Sequence, residues 1–269
     1  MVMDVTALSL LMGAAVGVVL ALTGAGGGVL AVPLLVFGLH LEMSQAAPVG
    51  LMAVGLAAAV GAALGLREGV VRYRAALLIG IAGMLVAPLG VWLSHHLPNR
   101  PVMGLFAAVL SWVAWRNLRG RSASVATVSV RPPACAMNSE TGRLSWRAPC
   151  TAMLSLIGML SGLLSGLLGV GGGFVIVPML GQVSNVPARG VVATSMAVIA
   201  LVSVGGVVGA ATQGAMNWPV AVPFAVGACV ALWSGRRWSQ RWSGAALQRA
   251  FGVLAAFVAL SMVLRAFSS

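Results

Sequence analysis

A single glycine-rich sentence is written twice in this chain, and no other feature narrows the possible folds as much. Gly24-Ala25-Gly26-Gly27-Gly28-Val29-Leu30-Ala31-Val32-Pro33 returns 145 positions later as Gly169-Val170-Gly171-Gly172-Gly173-Phe174-Val175-Ile176-Val177-Pro178. The same offset carries Leu11, Gly13, Gly17, Leu22 and Leu35 onto Leu156, Gly158, Gly162, Leu167 and Leu180, and Gly61, Gly69, Gly90 and Phe106 onto Gly206, Gly214, Gly235 and Phe251. A repeat of this length means a duplicated structural unit. In a chain this apolar, it points to a transporter built from two halves.

The apolar character is decisive. Hydrophobic residues make up 60% of the 269 and charged ones 7%, with a mean hydropathy of +1.02. So few polar side chains could not cover a water-soluble domain, which leaves an all-α, polytopic membrane protein. The net charge of +12 does not indicate nucleic acid. All sixteen basic residues are arginines set between apolar segments, where they act as topology signals and headgroup anchors. Asp4 precedes the first apolar run and no basic residue does. That run therefore lacks a signal-peptide n-region and is expected to be retained. Cys135, Cys150 and Cys229 show neither metal-ligand spacing nor a pairing framework, so reduced thiols are expected.

Apolar runs cover 5–22, 29–39, 47–65, 75–97 and 102–118, then 150–168, 174–183, 190–211, 218–235 and 248–264. The sequence thus divides into a first transmembrane repeat, 1–118, a flexible linker, 119–147, and a second repeat, 148–269. The second run of each half is too short to cross a hydrocarbon core about 30 Å thick. A Gly-broken re-entrant hairpin, or short helix pair, followed by three transmembrane helices is the simplest account of each half.

Arginine placement supplies an orientation. If each hairpin enters and leaves on one side, Arg67, Arg72, Arg74, Arg116, Arg119, Arg121, Arg131, Arg143, Arg147, Arg189, Arg236, Arg237, Arg241 and Arg249 share one face, with Arg100 and Arg265 opposite. Positive residues collect on the cytoplasmic side. The linker is then cytoplasmic and both termini lie outside. Loop 66–74 holds three arginines and its counterpart near 212–217 none, whereas loop 97–101 holds one and its counterpart 236–249 four. Equivalent loops exchange their charge, as expected of inverted-topology repeats.

The duplicated motif has the chemistry of an anion site. Adjacent glycines break a helix and admit close backbone approach. The helix restarting after them offers free N–H groups and a positive dipole end. Pro33 and Pro178 are expected early in that helix, where proline disturbs least. About three or four charge-assisted bonds, each worth ~1.5–3 kcal/mol, would hold a small oxyanion without a buried cation. The candidate substrate-binding residues are Gly24, Gly26, Gly27, Gly28, Pro33, Gly169, Gly171, Gly172, Gly173 and Pro178. By contrast, Gly13/Gly17, Gly158/Gly162/Gly166 and Gly61/Gly65 have the small-xxx-small spacing of helix packing. Neither copy has a Walker ending or a dinucleotide fingerprint.

The paired glycine-rich motifs, each closing on Val-Pro in a duplicated apolar chain, resemble the TauE/SafE family of sulfite exporters over nearly the whole length except the linker. The resemblance implies a multi-pass protein of the bacterial plasma membrane that exports a small anion, sulfite or an organosulfonate, by an ion gradient. Its partners would be that anion, a coupling proton or sodium ion, and the bilayer. It further implies that the triplet Ala193-Thr194-Ser195 contributes Thr194 and Ser195 as hydroxyl ligands; hydroxyls bonding back to the carbonyl four residues earlier are the alternative. The first half departs from the pattern, with Val49 and Gly50 at the equivalent positions, which leaves room for a bulkier substrate.

Two further readings stay open. His40, Glu42, His95 and His96 on the outer face could serve a divalent metal transporter, and a membrane-embedded assembly factor would need no substrate. An enzyme is not indicated, because no carboxylate pair, activated nucleophile or closed metal set falls within the spans. No cofactor and no nucleic acid is expected, and the oligomeric state is not legible.

Overall fold

Residues 2–24, 27–118, 135, 148–184, 186–214, 216–239, 253, 256 and 260 are described by the computed structural model. Gly26, the linker apart from Cys135, and all but three positions of the tenth apolar run lie outside them. Among the described residues the regular elements are all helices, apart from one isolated bridge. The helices are α1 (Val2–Thr23), α2 (Gly27–Gly38), α3 (Met43–Arg67), α4 (Tyr73–His96), α5 (Asn99–Leu118), α6 (Ala148–Leu168), α7 (Gly173–Val183), α8 (Ala188–Thr212) and α9 (Trp218–Ser239). Helix is the outcome the bilayer enforces, because a segment in hydrocarbon must satisfy its own N–H and C=O groups. Six of these helices, α1, α3, α4, α6, α8 and α9, contain stretches long and apolar enough to cross a membrane. The protein is a multi-pass membrane protein. α2 and α7, with 12 and 11 residues, reach only about 18 and 16 Å.

The duplication reappears in the packing. Gly13 of α1 sits against the Phe224 carbonyl of α9, and Gly17 sits one turn further on against that of Ala228. Shifting each partner by the repeat offset gives Gly158 against Ile79 and Gly162 against Gly83, and α6 and α4 make both contacts. A Cβ at any of the four would strike backbone, so these helix pairs meet closely through glycine. Both pairs run parallel. α3 and α8 cross in opposite directions, since Gly61 meets the Met196 sulfur while Leu51 meets Gly206. These two contacts also interchange under the offset.

Outward faces carry the remaining apolar side chains. Leu77, Ile81 and Leu85 form an exposed stripe on α4, and their counterparts Val222, Val226 and Val230 form one on α9. Stripes of this kind suit lipid, not water. Tyr73 and Trp218 stand exposed at the starts of the same two helices, where interfacial aromatics belong. Arg67 ends α3, Arg72 and Arg74 begin α4, and Arg189 opens α8. All four gather at one end, where the Arg72 N–H donates to the Thr194 hydroxyl at 3.1 Å.

Two expectations are corrected. Cys135 and Cys150 are joined in a disulfide, with Cα atoms 5.1 Å apart, rather than standing as separate thiols. The bond becomes possible because the Cys135 N–H donates to the Val183 carbonyl at 3.1 Å, which lays that piece of the linker along the end of α7. Spacing alone carries no trace of this pairing. The prolines are not early in their helices either. α2 and α7 already begin at Gly27 and Gly173, so Pro33 and Pro178 fall mid-helix. Each deprives the carbonyl four residues before it, Val29 or Phe174, of its helical donor.

Candidate functional site

Both helical breaks fall where the glycines are. α1 stops at Thr23 and α2 starts at Gly27; α6 stops at Leu168 and α7 starts at Gly173. Gly24 and Gly169 leave their helices with φ of 79° and 71°, and Gly171 and Gly172 continue at 76° and 68°. This left-handed backbone is open to glycine and costly to other residues. The Gly169 N–H still closes on the Ser165 carbonyl at 2.8 Å. Gly172 then caps α7, its carbonyl accepting from the Val175 and Ile176 N–H groups at 3.0 and 3.2 Å.

The two breaks touch. Gly28 lies so close to Val170 that a Cβ there would strike the Val170 carbonyl oxygen. Gly50 lies near the Gly169 carbonyl, Gly169 presses on Ala47, and Gly24 meets Val192, the residue equivalent to Ala47. A Cβ at Gly171 would fall 2.9 Å from Ile199 and 3.1 Å from Val54. Those two are one another's counterparts on the antiparallel helices α8 and α3. The glycine turns therefore gather about the α3–α8 crossing, deep among buried residues.

Of the first-turn N–H groups of α7, those of Val175 and Ile176 turn to the Gly172 carbonyl, which leaves those of Gly173 and Phe174 without a helical carbonyl, and no side-chain cap bond forms at Gly172. They carry the positive end of the helix dipole. The chain's acids, Asp4, Glu42, Glu68 and Glu140, all fall outside α2 and α7. Such a turn can bind a small oxyanion through backbone donors.

Thr194 and Ser195 are fully buried on α8. The Thr194 hydroxyl accepts from Arg72 and keeps its own hydrogen to give. It lies five residues, about 7.5 Å along the helix, before Ile199 on the arginine-rich side. Ser195 gives its hydrogen to the Val191 carbonyl at 2.7 Å, the alternative raised for it above. His40 and His95 do not assemble a metal site, for no three His, Cys, Asp or Glu come together among the described residues. The His96 ring instead lies against Trp92, 4.1 Å between centroids.

Sequence reasoning missed Ser161, Ser165 and Ser203, all buried; the first two adjoin the second turn, and Ser203 faces Gly55 across the α3–α8 crossing. The Ser161 hydroxyl donates to the Gly172 carbonyl at 3.3 Å, so it holds the turn from α6. The signal was present in the difference between the halves, because the positions equivalent to Ser161 and Ser165 are Val16 and Leu20.

The family model described as "Sulfite exporter TauE/SafE" matches residues 9–262. A protein of Xylella fastidiosa (strain 9a5c), named a probable membrane transporter protein, is 27% identical over 261 residues, covering 96% of this chain and 94% of its own. A second from Xylella fastidiosa (strain Temecula1) has the same name, identity and coverage. A probable membrane transporter protein of Methanocaldococcus jannaschii is 47% identical over 53 residues, 20% of each chain. No solved structure matches the chain.

Proposed function

This chain belongs to the sulfite exporter TauE/SafE family, and from that premise we propose that it is a secondary transporter exporting a small anion, sulfite or an organosulfonate, by alternating access. That it is a membrane transporter follows from the family itself. The contact between the two glycine breaks, Gly28 against the Val170 carbonyl, carries the finer reading. It puts the start of α2 and the start of α7 on either side of one buried point, as a substrate site shared by two repeats requires.

Equivalent helices running in opposite directions, α3 against α8, support the inverted arrangement. The halves, 1–118 and 148–269, would rock about that crossing while the linker joins them. We orient the arginine-rich end toward the cytoplasm. Its charge would concentrate anions at the mouth from which export begins. On this orientation cytosolic thiol buffers hold the Cys135–Cys150 pair open and oxidants close it. No catalytic step is assigned to the protein.

Purified protein in liposomes, loaded with labelled sulfite or methanesulfonate, tests the reading. Saturable efflux that other oxyanions compete with is the expected result; liposomes no leakier than empty ones would refute it. His95→Ala and His96→Ala are expected to leave that efflux unchanged, within about twofold. Loss of flux in either would revive the metal-transport alternative.

A further inference from the structure

We propose that the anion seat is lopsided: both glycine breaks border it, but the second half supplies its side-chain donors, and the hydroxyls of Ser165 and Ser203 complete it. The proposal rests on the transport reading above and deepens it by naming ligands.

The two halves match in backbone contacts but not in polarity. Ser161, Ser165, Thr194, Ser195 and Ser203 are all at least nine-tenths buried in the second half. Their counterparts in the first are Val16, Leu20, Val49, Gly50 and Ala58, none of which has a side chain that can donate a hydrogen bond. The first half does have Thr23 beside its break, but it is only half-buried and donates to the Val19 carbonyl at 2.8 Å. A seat formed equally by both halves would not show this contrast.

Within the polar set, two hydroxyls stand apart. Ser184 and Ser195 return their hydrogens to the carbonyls of Leu180 and Val191, four residues back, each at 2.7 Å. Ser165 and Ser203 have the same option on their own helices and do not take it; their buried hydroxyls have no hydrogen-bond partner. An unpaired hydroxyl in an apolar interior is unfavourable and needs a reason.

Their positions supply one. Ser165 lies one turn beyond Ser161 on the α6 face that holds the Gly172 carbonyl. Its own carbonyl takes the Gly169 N–H, at the entrance to the turn. Leu20, its counterpart, presses its β-carbon on Gly27, so this helical position faces the break in both halves. Ser203 lies one turn beyond Ile199, which touches Gly171, and it faces Gly55 across the α3–α8 crossing. Ser165 thus stands at the entrance to the turn that opens α7, and Ser203 stands on the α3–α8 crossing about which that turn is packed. Neutral donors converging without a cation suit an anion of low charge, such as hydrogensulfite or a sulfonate.

Ser165→Ala and Ser203→Ala, each purified and placed in liposomes, test the seat against sulfite and methanesulfonate. Each substitution is expected to raise KM about tenfold, the effect of one lost charge-assisted bond, with kcat changed less. The thermal midpoint without anion should hold or rise, because an unsatisfied buried group has been removed. Ser165→Thr, which keeps the hydroxyl, should recover most of the affinity. Ser9→Ala, whose hydroxyl donates to the Thr6 carbonyl in α1, should behave as wild type. Raised midpoints with unmoved KM in both variants would mean mere packing positions and overturn the seat alone. Absence of any anion flux in the wild type would overturn the transport reading, and the seat with it.

Discussion

Gly172→Ala is expected to stop anion flux by about a hundredfold while the protein still inserts and assembles. Gly172 holds φ at 68° as the cap of α7, and an L-residue there costs about 1–2 kcal/mol. The added methyl would also land on the Ser161 hydroxyl and lie 2.8 Å from the Ser161 carbonyl. The strain has somewhere to go. α7 is a short helix in contact with α6 and α8, so the turn can yield without opening the seams between the long helices. When it yields, the first-turn N–H groups swing off their target, and a displacement of about 1 Å in a positioned group is enough for a loss of this size. Flux in liposomes and gel-filtration behaviour of the same sample decide the matter. Wild-type flux would show that the turn does not position substrate.

Gly17→Leu should do the opposite, damaging assembly first. A Cβ at Gly17 would overlap the Ala228 carbonyl oxygen and come within 2.9 Å of its Cα. Backbone cannot turn aside as a side chain can, so α1 and α9 must separate along their shared length. Overpacking of this severity costs about 3 kcal/mol or more, a large share of the ~5–15 kcal/mol that stabilises a typical domain. We expect a fall of roughly 10 °C in the thermal midpoint, or loss of extractable protein. Gly162→Leu should match it, because Gly162 meets the Gly83 carbonyl in the equivalent contact. Gly104→Leu, with open space around it, serves as the control. Equal stability for Gly17→Leu and Gly104→Leu would mean that the α1–α9 seam is not formed.

Some of these features are local to the chain, and others arise only in the folded molecule. Adjacent glycines and short apolar runs revealed the breaks at Thr23/Gly27 and Leu168/Gly173, since helix interruption is a local property of the chain. The small-xxx-small spacings likewise identified Gly13, Gly17, Gly158 and Gly162 as packing positions, though not their partners. A partner depends on how distant helices cross, as Leu51 against Gly206 does, and no window of sequence carries that. The buried serines were overlooked for a different reason. Ser161 and Ser165 look like ordinary small residues of an apolar helix until the two halves are subtracted from each other. The prolines were misjudged because the helices begin on the last glycines rather than beyond them.

The Cys135–Cys150 bond has a consequence for any protease that reaches the segment between the halves. In the oxidised protein, a nick after Arg143 falls inside the loop this bond closes, so the two fragments would migrate as one species until a reductant separates them. A nick after Arg131 falls before Cys135 and would release them at once. Paired gels, with and without dithiothreitol, would therefore read out which scissions leave the molecule in one piece.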